Sequence, residues 1–206
     1  MVTITRITRE RRKYIIECGG DLTVTLDADT FALADLEPGD EVEEDQLTEL
    51  AARSAYKAAR ERALCAVGRR ELCRGGLIQL LVRSGCDREI AGQAADEMVE
   101  LGFVNDTRYA GMLADYLYND KHFGMRRVVM EMVNKGLDRD TAQQAAEEYR
   151  PDPAEALDAL LEGPFGRELD TPTGVRRAMN NLLRYGYYPD EIRAAIQRRV
   201  GGDEDF

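Results

Sequence analysis

Three glycines, Gly85, Gly136 and Gly186, stand 51 and 50 residues apart, and each closes a helix written on one template. Ahead of them lie Leu77, Ile78, Leu81 and Val82; then Val128, Val129, Met132 and Val133; then Ala178, Met179, Leu182 and Leu183. In each copy these residues fall at i, i+1, i+4 and i+5, which is one stripe along a helix. A period of this length, repeated three times, specifies similar helical units in series rather than one irregular core. Glycine is the residue favoured for a left-handed helix stop. Asp87 and Asp138, two residues further on, are suited to cap the helix that follows.

Each unit reads as three helices. In the first they cover 47–67, 77–84 and 88–101. Asn105 or Asp106 caps the opening helix of the second unit, which runs through Tyr109, Leu113 and Leu117 and is followed by 124–135 and 138–149. Pro151 and Pro153 break the chain. The third unit opens with 154–161, Thr171-Pro172 starts its middle helix, and Tyr188-Pro189-Asp190 starts its last. The beginning of the chain differs. Val2 to Thr5, Tyr14 to Glu17 and Leu22 to Leu26 are β-branched alternating runs and read as short strands. Gly19-Gly20-Asp21 is a hairpin signal, Arg9 to Lys13 reads as the turn between the first two strands, and Pro38-Gly39-Asp40 is a further turn before an acidic helix start at Glu43. The expected fold is mainly α. A small β-rich extension covers residues 1–43, and three-helix modules cover 44–104, 105–151 and 152–200 in an elongated tandem array, with an acidic tail at 201–206. The strands are expected to pack on the first module and make up for a weak helix start at Cys73-Arg74-Gly75-Gly76. Cysteine is a poor cap and glycine costs up to ~1 kcal/mol relative to alanine, so that helix is expected to start late or fray.

The 206 residues are 44% hydrophobic, enough for packed cores, and carry a net charge of −11. No apolar run approaches the length of a membrane span, and the first residues lack the apolar stretch of a secretory signal, so a cytoplasmic protein is expected. Cys18, Cys65, Cys73 and Cys86 form no C-x-x-C pair and read as reduced thiols rather than zinc ligands. There is no phosphate loop, dinucleotide fingerprint or H-E-x-x-H. His122 is the only histidine and no nucleophile motif accompanies it. No enzyme, cofactor or metal is expected. The acidity disfavours a dedicated duplex-DNA binder; contact with DNA needs either a local basic face or a protein already on the DNA.

Some cations are not explained by burial. Arg126-Arg127 and Arg176-Arg177 lie ten and nine residues before their glycines, in the first turns of their helices. An exposed cation there opposes the macrodipole by roughly 0.3–1 kcal/mol. Two readings account for the pairs: contact with an anion or acidic partner, or pairing with a nearby carboxylate, Glu131 one turn on for Arg127. Arg83, Lys135 and Arg184 stand at C-terminal ends, where complementing the last turn is sufficient reason; a binding role is the alternative. Lys121 adds a local cation. The tyrosines at 109, 116, 118, 149, 185, 187 and 188 read as finishing the module cores with their hydroxyls at the surface, with base stacking as the alternative for one or two.

The stretch Leu101-Gly102-Phe103-Val104-Asn105-Asp106-Thr107-Arg108-Tyr109-Ala110 resembles the L-G-L-hydrophobic-D-D-x-x-Y-A segment of the RecX family of recombination regulators. Residues Gly124 to Gly136 resemble that family's G-x-x-R-I-x-x-E-L-x-x-K-G, and Leu182 to Ile192 its closing L-x-x-R-G-F-S-Y-x-x-I, with Tyr185 where arginine is common. The strands resemble an extension seen in members from Gram-positive bacteria. The resemblance implies a monomeric, non-enzymatic protein that binds the RecA recombinase filament on single-stranded DNA. It implies inhibition, for the most part, of strand exchange, ATP hydrolysis and coprotease activity; the acidity of this chain, not the resemblance, makes direct nucleic-acid binding weak or absent. Carried over to this chain, the filament-facing positions are Arg126, Arg127, Lys135, Arg176, Arg177 and Arg184, with Lys121 and Arg108 beside them. The first module departs from the pattern, with Cys73-Arg74-Gly75-Gly76-Leu77 in place of S-x-x-E-L and no arginine pair. The rival reading is an independent DNA-binding helical module.

Overall fold

The structure, a computed structural model, describes residues 1–167 and 169–200. The expected acidic tail lies outside the described residues. Contacts divide the chain into two compact units, residues 1–104 and 105–206.

In the first unit, β1 (Val2–Glu10), β2 (Lys13–Cys18), β3 (Thr23–Asp27) and β4 (Glu41–Val42) form an antiparallel sheet in the order β3-β2-β1-β4. Alternation turns Ile4, Ile16, Val24 and Leu26 inward, where they bury against Leu47. The first hairpin is tighter than expected. Arg9 pairs with Tyr14 and Glu10 with Lys13, which leaves only Arg11 and Arg12 in the turn. An unexpected helix, α1 (Ala28–Ala34), follows β3 directly. The 24-residue α2 (Glu44–Val67) packs against β3 with its first half and against α3 (Arg74–Arg83) and α4 (Arg88–Glu100) with its second. One helix therefore serves both cores: Leu47 belongs to the sheet core, and Ala59 and Ala63 to the helical one.

Asp27 ties these parts together. Its N–H donates to Ser54 Oγ of α2 at 2.6 Å. Its carboxylate accepts the N–H groups of Asp29 and Thr30, which caps α1, and receives Lys57 Nζ of α2 at 3.1 Å. Burial alone would raise this carboxyl's pKa, but the hydrogen bonds from Thr30, Lys57 and Ser54 outweigh it and hold the group well below the usual carboxylate range. The strands do pack on the first module, but they do not substitute for a weak start of α3. That helix begins at Arg74 without delay, which corrects the expected fraying. Cys73 Sγ accepts the Gly76 N–H at 3.3 Å, and the Arg74 guanidinium forks onto Asp96 at 2.5 and 2.9 Å. A tertiary ion pair and a thiol cap supply what Ser and Glu would supply locally.

The second unit is helical throughout its described residues: α5 (Asp106–Asp115), a π-helical turn (Tyr116–Asp120), α6 (Met125–Asn134), α7 (Arg139–Glu148), α8 (Pro153–Glu162), α9 (Pro172–Tyr185) and α10 (Pro189–Val200). Two of the four stripe positions are sealed in every copy, as Leu77, Leu81, Val128, Met132, Ala178 and Leu182; the other two are only half-buried or, at Val82 and Val133, exposed. The three marker glycines have φ of +89°, +107° and +96°, the left-handed stop read from the sequence. Asn105, Asp138 and Thr171 accept backbone N–H groups as helix caps. Two tyrosines depart from the expectation of surface hydroxyls. Tyr118 donates to the Ala146 carbonyl at 2.7 Å and Tyr187 to the His122 carbonyl at 2.9 Å. Burial pushes both phenols far up.

Asp27→Ala is expected to lower the unfolding free energy by about 1–2 kcal/mol in urea titration at neutral pH, the scale of a lost helix cap. Because the folded carboxyl is depressed, its stabilisation is complete above the ordinary aspartate value near ~3.9 and fades as pH falls below it. The wild-type and variant titrations should therefore converge in acid. A gap that is independent of pH would show that the carboxylate is not the source.

Candidate functional site

The repeat leaves the starts of α6 and α9 as the places where cations exceed what packing needs. The start of α6 is built unlike the other middle helices. Cys73 and Thr171 cap α3 and α9 with side chains, whereas the N-cap of α6 is Gly124, which has none to offer. The first N–H groups of α6 instead find the last carbonyls of α9. Gly124 N–H donates to Tyr185 O at 2.8 Å and Arg126 N–H to Gly186 O at 3.2 Å. The positive end of one helix thus meets the negative end of another, and orphan donors satisfy orphan acceptors. No side chain fits between them. A Cβ on Gly124 would stand 2.4 Å from the Gly186 carbonyl carbon, and one on Gly186 would stand 2.4 Å from the Arg127 nitrogen.

Arg127 completes this joint. Its Nη1 donates to the Arg184 carbonyl at 3.3 Å, its Nε lies 3.4 Å from Glu131 Oε1, and its guanidinium sits 4.0 Å over the Phe123 ring and 5.4 Å from that of Tyr185. A cation unfavourable at the start of its own helix is favourable here because it faces the carbonyl end of α9. These contacts account for Arg127 without any external partner. Glu191 pairs with Arg150 and accepts the Tyr188 N–H at 2.8 Å, and Tyr188 Oη lies 3.9 Å from Met125 Sδ, which adds further ties between the two modules.

The other predicted positions divide into two groups. Arg126, Arg176 and Arg184 are exposed, and among the described residues their side chains form no ion pair. The joint brings Arg126 and Arg184 to one place, because the Arg126 N–H is held by Gly186, two residues beyond Arg184. Arg176 stands about 12 Å along α9 from Arg184 at ~1.5 Å per residue. Arg108, Lys135 and Arg177 are exposed but already have partners within the protein. Lys121 lies 5.2 Å over the Tyr116 ring, and hydrogen bonding to that phenol raises its pKa. The glycine joint was missed by sequence reasoning. Its one signal is a glycine at an N-cap where the neighbouring copies carry side chains able to cap. Among the described residues no group of His, Cys, Asp and Glu is placed to hold a metal ion, and no helix is long and apolar enough to cross a membrane.

The class defined by this fold is a series of three-helix modules preceded by a small antiparallel sheet. Residues 105–145, the stretch that carries α5, α6 and the start of α7, match the family model described as RecX, second three-helix domain. A regulatory protein RecX of Stenotrophomonas maltophilia strain K279a is 32% identical over 138 residues, covering 66% of this chain and 84% of that protein. Another, from Caldanaerobacter subterraneus subsp. tengcongensis, is 26% identical over 195 residues, covering 94% and 98%. A crystal structure of regulatory protein RecX superposes with a TM-score of 0.64 at 16% identity, over 95% of this chain and 98% of that one. The chain belongs to the RecX family of regulatory proteins.

Gly124→Ala should cost about 1–3 kcal/mol in urea unfolding, the scale of an overpacked contact. Arg127→Ala should cost about 1–2 kcal/mol, whereas Arg126→Ala should stay within ~0.5 kcal/mol of wild type, as an exposed side chain does. Equal effects of the two arginine substitutions would remove the distinction between them.

Proposed function

We propose that this chain is a non-enzymatic, cytoplasmic regulator that docks on the RecA filament and mostly inhibits its strand exchange, ATP hydrolysis and coprotease activity. The observation that carries the reading is the set of exposed guanidinium groups at Arg126, Arg176 and Arg184, which the protein leaves without ion-pair partners on a two-module unit fixed by a backbone joint. Membership of a family of regulatory proteins supports it. Guanidinium forks at fixed spacing suit carboxylates on another protein. Lys121, Lys135, Arg108 and Arg177 form the border of the same surface, each already engaged locally. Arg127 is assigned a positioning role: it holds α6 against α9 and thereby sets where Arg126 and Arg184 lie. The charge of −11 makes the modules themselves poor ligands for free DNA, so a protein partner is favoured over a DNA-coating role for them.

Titration of the protein into a RecA ATPase or strand-exchange assay tests this. Inhibition is expected, and the triple change Arg126→Glu, Arg176→Glu, Arg184→Glu should weaken it at least tenfold while leaving helical content and melting temperature in place. Inhibition of full potency by that variant would remove the assigned surface. No effect of the wild-type protein on a cognate RecA would remove the function.

A further inference from the structure

We propose that the tip of the β1–β2 hairpin is a duplex-DNA contact that grips phosphates without reading sequence, independently of the surface on the second unit. Arg6, Arg9, Arg11, Arg12 and Lys13 gather toward this end of the sheet, with Glu10 among them, Glu17 across from Arg6 and Asp27 across from Lys13, in a chain whose net charge is −11. All five cations are exposed, and among the described residues none forms an ion pair. In an acidic protein, cations left clear of the many available carboxylates form the local basic face that phosphate contact requires.

Protection of the sheet edge explains part of this cluster but not its tip. β4 pairs with Val2 and Thr3, and the turn before it bonds Ile4, so β1 is an edge only beyond Ile4, where charges such as Arg6 and Arg9 keep a second sheet from adding to it. Arg11 and Arg12 lie in the turn, where there is no edge to protect. Arg11 also takes φ of +57°, a conformation in which glycine or asparagine is the comfortable choice. The sequence places a guanidinium where the backbone favours its absence.

Shape selects the occupant. The cluster centres on a two-residue hairpin turn, an element narrow enough to enter the major groove, roughly 12 Å wide. A single strand is usually held in a concave groove with open aromatic faces. Here the nearby Tyr14 and Phe31 rings stack on each other at 3.9 Å and 9°, which covers one face of each, and Arg9 lies 5.9 Å from the Tyr14 ring centre. Four of the five cations are arginines, whose planar forks match phosphate oxygens.

The test is fluorescence anisotropy of the full-length protein with a labelled duplex, over a range of salt concentrations and without RecA. Wild type should bind at low salt and weaken steeply as salt rises. Arg11→Gly with Arg12→Asn removes both charges yet suits the turn. This double variant should melt no lower than wild type, bind the duplex at least tenfold more weakly, and lose about 2 from the salt slope, at ~0.9 per phosphate contact. Unchanged affinity and slope in this variant, or no duplex binding by wild type, would overturn the proposal. So would stronger dependence on the hairpin for a labelled single strand or a poly-glutamate peptide than for the duplex. RecA inhibition by the hairpin variant is read separately, so failure here leaves the reading of the second unit standing, and the reverse also holds.

Discussion

The start of α6 and the end of α9 meet backbone to backbone, and the rest of the second unit is arranged around that contact. A helix that begins in a protein interior must satisfy its first N–H groups, and one that ends there must satisfy its last carbonyls. Side-chain caps solve this one end at a time, as Asn105, Asp138 and Thr171 do. Gly124 and Gly186 solve both ends at once by removing the side chains that would hold the two backbones apart. The opposed helix dipoles reinforce the hydrogen bonds, and the aromatic rings of Phe123 and Tyr185, packed edge to face at 5.4 Å, shield them from water.

This arrangement explains why two adjacent arginines, identical in the sequence pattern, have different jobs. Arg127 turns inward to the Arg184 carbonyl and two rings, while Arg126 gives its N–H to Gly186 and leaves its side chain in solvent. One stabilises and the other is available. Because the backbone of Arg126 is held by the next module, its position relative to Arg184 is fixed before any partner arrives. With the backbone held, only side-chain rotamers remain to be ordered on binding, which lowers the entropic cost of a contact. That is the physical value of the joint to the docking proposed above.

Features set by local chemistry were legible in the chain. The three positive-φ glycines, the buried stripe at 77, 81, 128, 132, 178 and 182, and the Asp and Thr caps follow from short-range rules and appear where the pattern places them. What escaped depends on residues far apart in sequence. α3 was expected to start poorly because Cys73 and two glycines are weak locally, yet Asp96, twenty-two residues on, anchors Arg74. α1 is created by Asp27, which has to be seen as the end of β3 and as a cap together. Tyr118 and Tyr187 hide their hydroxyls because carbonyls of other segments wait for them. Of the site, the exposed arginines were legible as cations without a burial role. The inward turn of Arg127 was one of two readings open to the sequence, and Gly124 gave no warning that a second helix end would lie against it.

The most direct measurement of this account is native-state hydrogen exchange at the amides of Gly124 and Arg126 in the full-length protein. Amides in a first helical turn have no partner within their own helix and ordinarily exchange freely. Here both should be strongly protected and should open together with the end of α9, because their acceptors are the Tyr185 and Gly186 carbonyls. Exchange of these two amides at unprotected rates, with the middle of α6 still protected, would contradict the joint and the placement of Arg126 and Arg184 that depends on it.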